Sequence, residues 1–167
     1  TVVMHNEETL LQLYTDVVRP EWIDYNGHMN VAYYVLAFDY ATDAFFDHIG
    51  LDRAYKAAAN STTFIVDMNV SYLGEVLEGD PLRFVTRILD FDEKRLHFFH
   101  EMYHAEKGYL AATNEIMAVH ISLESRRMAA MGAGLQQRIA EIGNQHRLLD
   151  LPEKAGRTIG IRRKKQI

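Results

Sequence analysis

A short polar segment holds the densest set of side chains that could do chemistry. Within seven residues it carries a carboxylate, an imidazole and two amides: Asp24, Asn26, His28 and Asn30. A carboxylate can act as a nucleophile or as a general base, and the neighbouring polar groups can orient the reacting atoms. Asn26-Gly27 is a strong turn signal, so we predict that the segment is a turn.

The residues after this turn predict a long helix. From Val31 to Ile49 the sequence has no Gly or Pro, and its apolar residues recur at helical spacing, with Gly50 as a C-cap. The first N–H groups of such a helix lack intrahelical partners and lie at the positive end of its dipole. Beside Asp24, they would stabilise the oxyanion that develops in acyl transfer. The alternative is that Asp24 and Asn30 only cap the helix.

The elements that position this turn are predicted from alternation and turn residues. Between Thr63 and Glu124 apolar and polar residues alternate, which is typical of long antiparallel strands. Short helices are expected at Asp52–Ala59 and Leu135–Arg147. The predicted strands are Leu13–Trp22, a strand from Thr63 to Tyr72, Leu82–Asp90, Arg95–Ala105 and Tyr109–Leu123. This order indicates an α+β fold in which an antiparallel sheet wraps around one long helix.

The strand that begins at Thr63 is expected to have one apolar and one polar face. The apolar face comprises Phe64, Val66, Met68, Val70 and Tyr72. The polar face comprises Asp67, Asn69 and Ser71.

Composition excludes several classes of function. The chain has 167 residues, which fits one domain, and no cysteine, which excludes a disulfide scaffold. Its net charge of −5 disfavours nucleic-acid binding. The longest apolar run, Val31–Phe38, is far shorter than the roughly 20 residues of a membrane span. The first residues lack the features of a signal peptide, so we expect a cytoplasmic protein with no membrane partner.

The histidines do not predict a metal site. His97 lies on one face of its strand, while His100 and His104 share the other and are about 13 Å apart at strand rise. That separation is too long for one ion. The sequence also has no G-x-S-x-G segment, no phosphate-binding glycine loop and no dinucleotide fingerprint.

The segment EWIDYNGHMN, followed by a long aromatic helix, resembles the hotdog-fold acyl-CoA thioesterases of the 4-hydroxybenzoyl-CoA thioesterase-like group. The resemblance covers about residues 14–124 and implies an acyl-CoA substrate with no other cofactor and no metal. It implies Asp24 as nucleophile or base, and Asn26 and His28 as orienting groups. It also implies backbone donors at Asn30 and Val31 for the oxyanion.

In this family the second half of the site often comes from a strand of the partner subunit. Asp67, Asn69 and Glu75 lie on or near the matching strand, and Asp67 is the expected contributor. The alternative is that Asp67 is a solvent-facing acid on an edge strand. The resemblance implies a homodimer or homotetramer. We expect a hotdog domain over residues 1–130, followed by a C-terminal helix and basic tail over residues 131–167. Within that tail, the basic segment from Arg157 to Ile167 is expected to be mobile.

A narrower resemblance concerns the substrate. EWIDYNGHMN, ATDAFFDHIGLD and KRLHFFHEMYHAEKG are similar to thioesterases of carnitine breakdown, which act on betainyl-CoA and are sometimes fused to L-carnitine dehydrogenase. A cationic acyl group is held over aromatic faces, and an acidic stripe would favour it electrostatically. The expected substrate-binding residues are Trp22, Tyr25, Val31, Tyr33 and Tyr34. The stripe is Asp39, Asp43 and Asp47, and its alternative is a solvated helix edge.

Two other functions are compatible with this fold. One is an acyl-CoA hydratase or dehydratase, although the proline-rich His motif of the hotdog dehydratases is missing, since Pro20, Pro81 and Pro152 are the only prolines. The other is a non-catalytic acyl-binding protein. The combination of Asp24, Asn26 and His28 argues against the second.

Overall fold

In the computed structural model, which describes residues 9–164, five antiparallel strands form one sheet. The strands are β1 Leu11–Val17, β2 Ser61–Tyr72, β3 Pro81–Phe91, β4 Arg95–His104 and β5 Leu110–Ser122. They lie in the order β1-β3-β4-β5-β2. The helices are α1 Val31–Ile49, α2 Arg53–Ala59 and α3 Ala133–His146. The predicted α+β fold, with an antiparallel sheet around a long helix, is confirmed.

Helix α1 begins and ends where the sequence predicts. The Asn30 side chain accepts a hydrogen bond from the Ala32 N–H, and Gly50 ends the helix with a φ of 92°. That left-handed conformation favours glycine because a Cβ atom would be strained there. The helix lies against one face of the sheet, which we call the inner face; the opposite side is the outer face.

Two apolar clusters fill the space between α1 and the sheet. The cluster below the first half of α1 contains Trp22, Met29, Tyr34, Phe38 and Phe84. The cluster below its second half includes Phe45, Ile49, Phe98 and two residues of α3, Leu135 and Ile139. Phe45, Phe98 and Ile49 are completely buried, so truncating either phenylalanine to Ala would cost about 3–5 kcal/mol of stability. The first cluster anchors the turn before α1.

The division of the chain into a hotdog domain and a C-terminal part at residue 130 stays a prediction.

The first strand differs from its predicted position. The sequence predicts a strand over Leu13–Trp22, but β1 begins at Leu11 and ends at Val17, and Pro20–Trp22 forms a 3₁₀ turn. Pro20 stands in the first turn of that 3₁₀ helix, where its missing N–H costs nothing. The chain thereby leaves the sheet and delivers the Asp24 turn to the start of α1.

A β-bulge changes which residues of β2 share a face. Ile65 pairs with Ala118 and Asp67 with Met117, so Val66 is the extra residue. On the N-terminal side of the bulge, Phe64 pairs with Val119 and therefore lies on the outer face. The predicted single apolar face is wrong at this point, although Met68, Val70 and Tyr72 do face α1.

Strand β2 is an edge strand, and no strand within residues 9–164 pairs with its second side. Its exposed apolar side chains include Phe64 at 47%, Val66 at 58% and Tyr72 at 47%. A long apolar edge is a template for pairing with another strand. The chain therefore presents an interaction surface along β2.

The C-terminal residues are not a free tail throughout. After α3, residues 147–157 cross the outer face of the sheet, and we call this segment the strap. Arg157 donates a hydrogen bond to Ser71 Oγ at 2.8 Å, and its carbonyl accepts one from Asn69 at 2.9 Å. The prediction of a mobile tail from Arg157 onward is therefore wrong at its first residue. Residues 165–167 lie outside the described residues.

Candidate functional site

The turn before α1 is a short hairpin anchored at both ends. Ile23 and Met29 form an antiparallel bridge. The Asp24 N–H donates to the His28 carbonyl at 2.9 Å, and the Asn30 N–H donates to the Trp22 carbonyl at 2.9 Å. Because Trp22 and Met29 are almost fully buried, the hairpin stands on a packed base and presents its polar residues outward.

Asp24 uses one carboxylate oxygen to hold this turn. Its Oδ1 accepts hydrogen bonds from the Asn26 N–H at 2.9 Å and, more weakly, from the His28 N–H at 3.4 Å. Gly27, with a φ of 82°, makes the reversal possible. No donor among residues 9–164 reaches the second oxygen, Oδ2, which is left available to a ligand. Asn26 contributes its backbone N–H to the turn, and its side chain is exposed.

The start of α1 offers one open backbone donor near this turn. The Ala32 N–H is bonded to Asn30 Oδ1 and the Tyr33 N–H to the Asn30 carbonyl. The Asn30 N–H is occupied by Trp22, so the expected Asn30 donor is not free. Within the described part of the chain, the Val31 N–H has no acceptor. Asn30 thus caps the helix, and the Val31 N–H stays open toward the turn.

His28 is paired with a residue far away in the sequence. Its Nδ1 lies 2.8 Å from Glu75 Oε1, and both side chains are about half exposed. The Met29 N–H bonds to the Val76 carbonyl, which brings the loop after β2 beside the turn. The sequence places Glu75 near the matching strand but favours Asp67 over it. The pairing of His28 with Glu75 had no local sequence signal.

The four aromatic residues proposed from sequence differ in accessibility. Trp22 is 2% and Tyr34 5% exposed, so their rings belong to the core. Arg19 already lies over the Trp22 ring, 4.7 Å from its centroid. Tyr25 is 97% exposed, and Tyr33 is half-buried, stacked on Trp22 at 6.0 Å. Only these last two can offer a ring face to a ligand.

Tyr72 is an aromatic residue of the site that sequence reasoning assigned only to a strand face. Its hydroxyl donates to the Val31 carbonyl at 3.1 Å, and its ring packs edge-on against Tyr34 at 5.1 Å. Partial burial raises the pKa of this hydroxyl, so it stays protonated and acts as a donor. Tyr72 therefore joins the end of β2 to the start of α1.

Asp67 does not approach the Asp24 turn within one chain. It pairs with Met117 on the outer face, and its Oδ1 accepts the adjacent Met68 N–H at 2.9 Å. There it lines a cavity of about 600 Å³ together with His97, Glu115 and the strap. Edge-to-edge pairing about a two-fold axis normal to the sheet keeps outer-facing residues on the outer side. A partner's Asp67 would therefore also face away from α1.

The acidic stripe runs along the exposed side of α1. Burial, followed by the charges of Asp39 and Asp47, raises the pKa of Asp43 above its usual value. Asp39 is eight residues beyond Val31, about 12 Å along the helix axis. The stripe therefore extends away from the Val31 N–H instead of surrounding it.

The buried histidines have structural partners. His100 lies between Thr42 and Thr86, at 2.8 and 2.7 Å from their hydroxyls. Thr42 also donates to the Phe38 carbonyl, so it accepts the His100 Nε2–H while Thr86 donates to Nδ1. Burial lowers the pKa of His100 to about 3. Nowhere in residues 9–164 do three or more His, Cys, Asp or Glu residues cluster as a metal site would require.

Comparison with known proteins identifies the family. Over residues 18–139 the sequence matches the thioesterase-like superfamily. A betainyl-CoA thioesterase of Pseudomonas aeruginosa is 40% identical over 152 residues, which are 91% of this chain and 96% of that protein. An L-carnitine dehydrogenase/betainyl-CoA thioesterase of Rhizobium meliloti is 35% identical over 153 residues, 92% of this chain but 31% of that longer protein.

A solved structure agrees with the sequence matches. A hypothetical protein of Staphylococcus aureus, determined in complex with CoA, superposes with a TM-score of 0.85 and 31% identity, covering 92% of this chain and 97% of that one. Within the described residues no helix is long and apolar enough to cross a membrane. The chain belongs to the thioesterase-like superfamily, and the prediction of a hotdog-fold acyl-CoA thioesterase is confirmed.

Proposed function

We propose that this member of the thioesterase-like superfamily hydrolyses betainyl-CoA, or a closely similar short cationic acyl-CoA, to the free acid and CoA. The observation that supports this substrate is the 40% identity to a betainyl-CoA thioesterase along nearly the whole of both chains. The reaction is proposed to take place in the cytoplasm. The remaining steps follow from the geometry of the turn.

Asp24 is the group proposed to start the reaction. Its free oxygen Oδ2 either attacks the thioester carbonyl or removes a proton from the attacking water. In both routes the carbonyl oxygen becomes negative, the C–S bond breaks and CoA leaves as a thiolate. When Oδ2 itself attacks, the acyl group stays on Asp24 as an anhydride, which water then hydrolyses to the free acid. The Val31 N–H, at the positive end of α1, is the donor proposed for that oxygen.

His28 and Glu75 are proposed as positioning residues for this chemistry. The Glu75 carboxylate accepts from His28 Nδ1 at 2.8 Å, which fixes the orientation of the ring. The backbone N–H of His28 donates to Asp24 Oδ1, so fixing His28 also steadies the turn that carries the carboxylate. Loss of Glu75 would loosen the turn without removing its reactive group.

The site is proposed to be completed in a homodimer. Two cavities of about 580 and 600 Å³ lie elsewhere, on the outer face, and Asp24 lines neither. The turn adjoins the end of β2 through Tyr72 and Val31, and β2 is the exposed apolar edge. A second copy paired along β2 would enclose the acyl group beside this turn, and two such dimers would form a tetramer.

Aromatic faces are the proposed basis of selectivity for a cationic acyl group. Tyr33, Tyr25 and Tyr72 are the accessible rings near Val31. A cation–π contact in a partly dry site contributes about 1–2 kcal/mol, which corresponds to roughly a 5- to 30-fold preference. The acidic stripe would add only a long-range contribution, because it lies along α1 away from its start.

Thiol release measured on matched substrates tests the proposal. Betainyl-CoA is compared with the tert-butylacetyl thioester, a neutral isostere of the same size, and we expect kcat/KM to be roughly 5- to 30-fold higher for the cation. Equal or faster hydrolysis of the isostere would remove the cationic substrate and leave the thioesterase activity intact. Hydration of an acyl-CoA would release no thiol at all, so the assay also separates hydrolysis from that reaction.

A further inference from the structure

The strap crosses the outer face along a single row of the sheet. Arg87, Phe99, Glu115 and Asn69 are aligned across β3, β4, β5 and β2. Arg87 donates to the carbonyls of Leu149 and Asp150, at 3.4 and 2.9 Å. The Gly156 N–H then donates to Glu115 at 2.6 Å, and Asn69 binds Arg157. The strap therefore runs perpendicular to the strands and toward the free edge of β2.

The chain beyond this edge carries apolar residues that the described part of the protein leaves uncovered. Ile159 is 83% and Ile161 79% exposed, and Arg157 fixes the point from which they leave the sheet. Ile159 lies beside β2, where it lines the same cavity as Asp67. Because β2 is the edge strand of the sheet, the row of residues that the strap follows can continue only on the sheet of another molecule.

We propose that residues 158–164 cross the two-fold axis and lie on the outer face of the partner subunit's sheet, with Ile159 and Ile161 packed around Phe64 of the partner subunit. This inference rests on the dimer proposed above. The outer face of each sheet next to β2 is thus covered by the C-terminal segment of the other copy of this chain.

The register of β2 against its own copy supports this contact. When the full lengths of two antiparallel β2 strands overlap, Asn69 lies opposite Phe64 of the partner subunit. Opposed residues must lie on the same face, and both of these are on the outer one. Met68 and Ile65, opposed in the same register, are both on the inner face. The opposed residues share a face only because the Val66 bulge, at the centre of the strand, shifts the alternation by one residue. Strand β2 can therefore pair with its own copy in this register.

The length of the segment is sufficient for the crossing. Adjacent strands are about 4.8 Å apart, and an extended residue spans about 3.3–3.6 Å. Ile159, two residues after Arg157, reaches about 7 Å and therefore the partner's β2. Ile161 reaches about 14 Å, which is more than the roughly 10 Å to the partner's β5.

Site-specific cross-linking tests the crossing, because the chain has no cysteine of its own. Ile159→Cys is made in a tagged chain and Phe64→Cys in an untagged chain, and the two are co-expressed and treated with a short bis-maleimide. We expect a covalent product of mixed mass, which can arise only between subunits. Each single variant treated alone gives the background of self-linking.

Different results would overturn the proposed dimer and the proposed crossing of the C-terminal segment. A species that light scattering shows to be monomeric would overturn both. A dimer without the mixed product, combined with an intramolecular link in the Ile159→Cys/Phe64→Cys double variant, would overturn the crossing alone, since the segment would then lie on its own subunit.

A variant without new cysteines provides the second readout. Ile159→Asp combined with Ile161→Asp should raise the dimer dissociation constant on the order of tenfold or more, because two apolar contacts are lost. Leu151→Asp is the matched control: Leu151 is an equally exposed apolar residue of the strap, at 72%, and it precedes the edge of β2. An unchanged constant in the double variant would contradict the crossing.

Discussion

Replacing Asp24 by Asn separates the two tasks that the structure gives this side chain. The amide keeps an oxygen that can accept the Asn26 and His28 N–H groups, so the turn should remain folded. What is removed is the negative charge that either attacks the thioester or takes a proton from water. We expect kcat for acyl-CoA hydrolysis to fall by about 10²-fold or more.

The effect on stability should be small and can be bounded. A carboxylate near the start of a helix contributes about 0.3–1 kcal/mol through the dipole, and 1 kcal/mol corresponds to about 2–4 °C in Tm for a chain of this size. Asp24→Ala should cost more, about 0.5–2 kcal/mol, because it also removes the acceptor that holds the turn. Thermal unfolding monitored by circular dichroism distinguishes these two variants.

Asp52→Asn is the matched control for this experiment. Asp52 caps α2 by accepting the Tyr55 N–H at 2.8 Å, so the same substitution again keeps an acceptor and removes a charge, but away from the turn. Its kcat should equal that of the unmodified enzyme. Near-normal thiol release by a folded Asp24→Asn variant would refute the role of Asp24, because the carboxylate would then be only a turn-forming residue.

Three further outcomes are expected. Glu75→Gln should lower kcat by up to about tenfold, with little change in Tm, since it weakens the hold on the exposed His28 ring; a loss as large as that of Asp24→Asn would make Glu75 a catalytic residue instead. Val66→Lys should dissociate the dimer in light scattering, while Val17→Lys, on the opposite edge strand, should not; a dimeric Val66→Lys variant would exclude pairing along β2. Burial lowers the pKa of His100 from 6.5 to about 3, so only the unfolded chain binds that proton between these values. This contribution to stability is complete above pH 6.5, and urea unfolding should show it falling by up to about 1.4 kcal/mol per pH unit on acidification; no decline between pH 7 and pH 5 would contradict it.

The parts of the fold that sequence analysis predicted correctly are those with local causes. Helix α1 is set by an uninterrupted apolar period, the Asn30 cap and the glycine after Ile49, all within one segment. Its correct bounds placed the Asp24 turn at the positive end of the helix. The segment from Pro20 to Trp22 was wrongly predicted as strand. It forms a 3₁₀ turn that packs Trp22 into the core. Because the core residues around Trp22 are distant in the sequence, no local pattern indicates this turn.

The errors at the site have a different physical origin. The alternation of β2 continues without interruption through Val66, so nothing in the sequence marks the bulge that moves Phe64 to the outer face. Likewise, Glu75 is 47 positions from His28, and only the packing of the β2–β3 loop against the turn brings them together. The preference for Asp67 over Glu75 followed from strand alternation, which gives the face of a residue but not the face on which the helix lies.

The position of the turn links activity to assembly. Tyr72 ends β2 and bonds to the Val31 carbonyl, so the strand proposed to pair with a second subunit is attached to the residue proposed to bind the oxyanion. Loss of the partner would expose the edge of β2 and loosen its last residue, Tyr72, which contacts the start of α1. Catalysis should therefore depend on protein concentration near the dimer dissociation constant, whereas a site complete within one chain would show a constant specific activity on dilution.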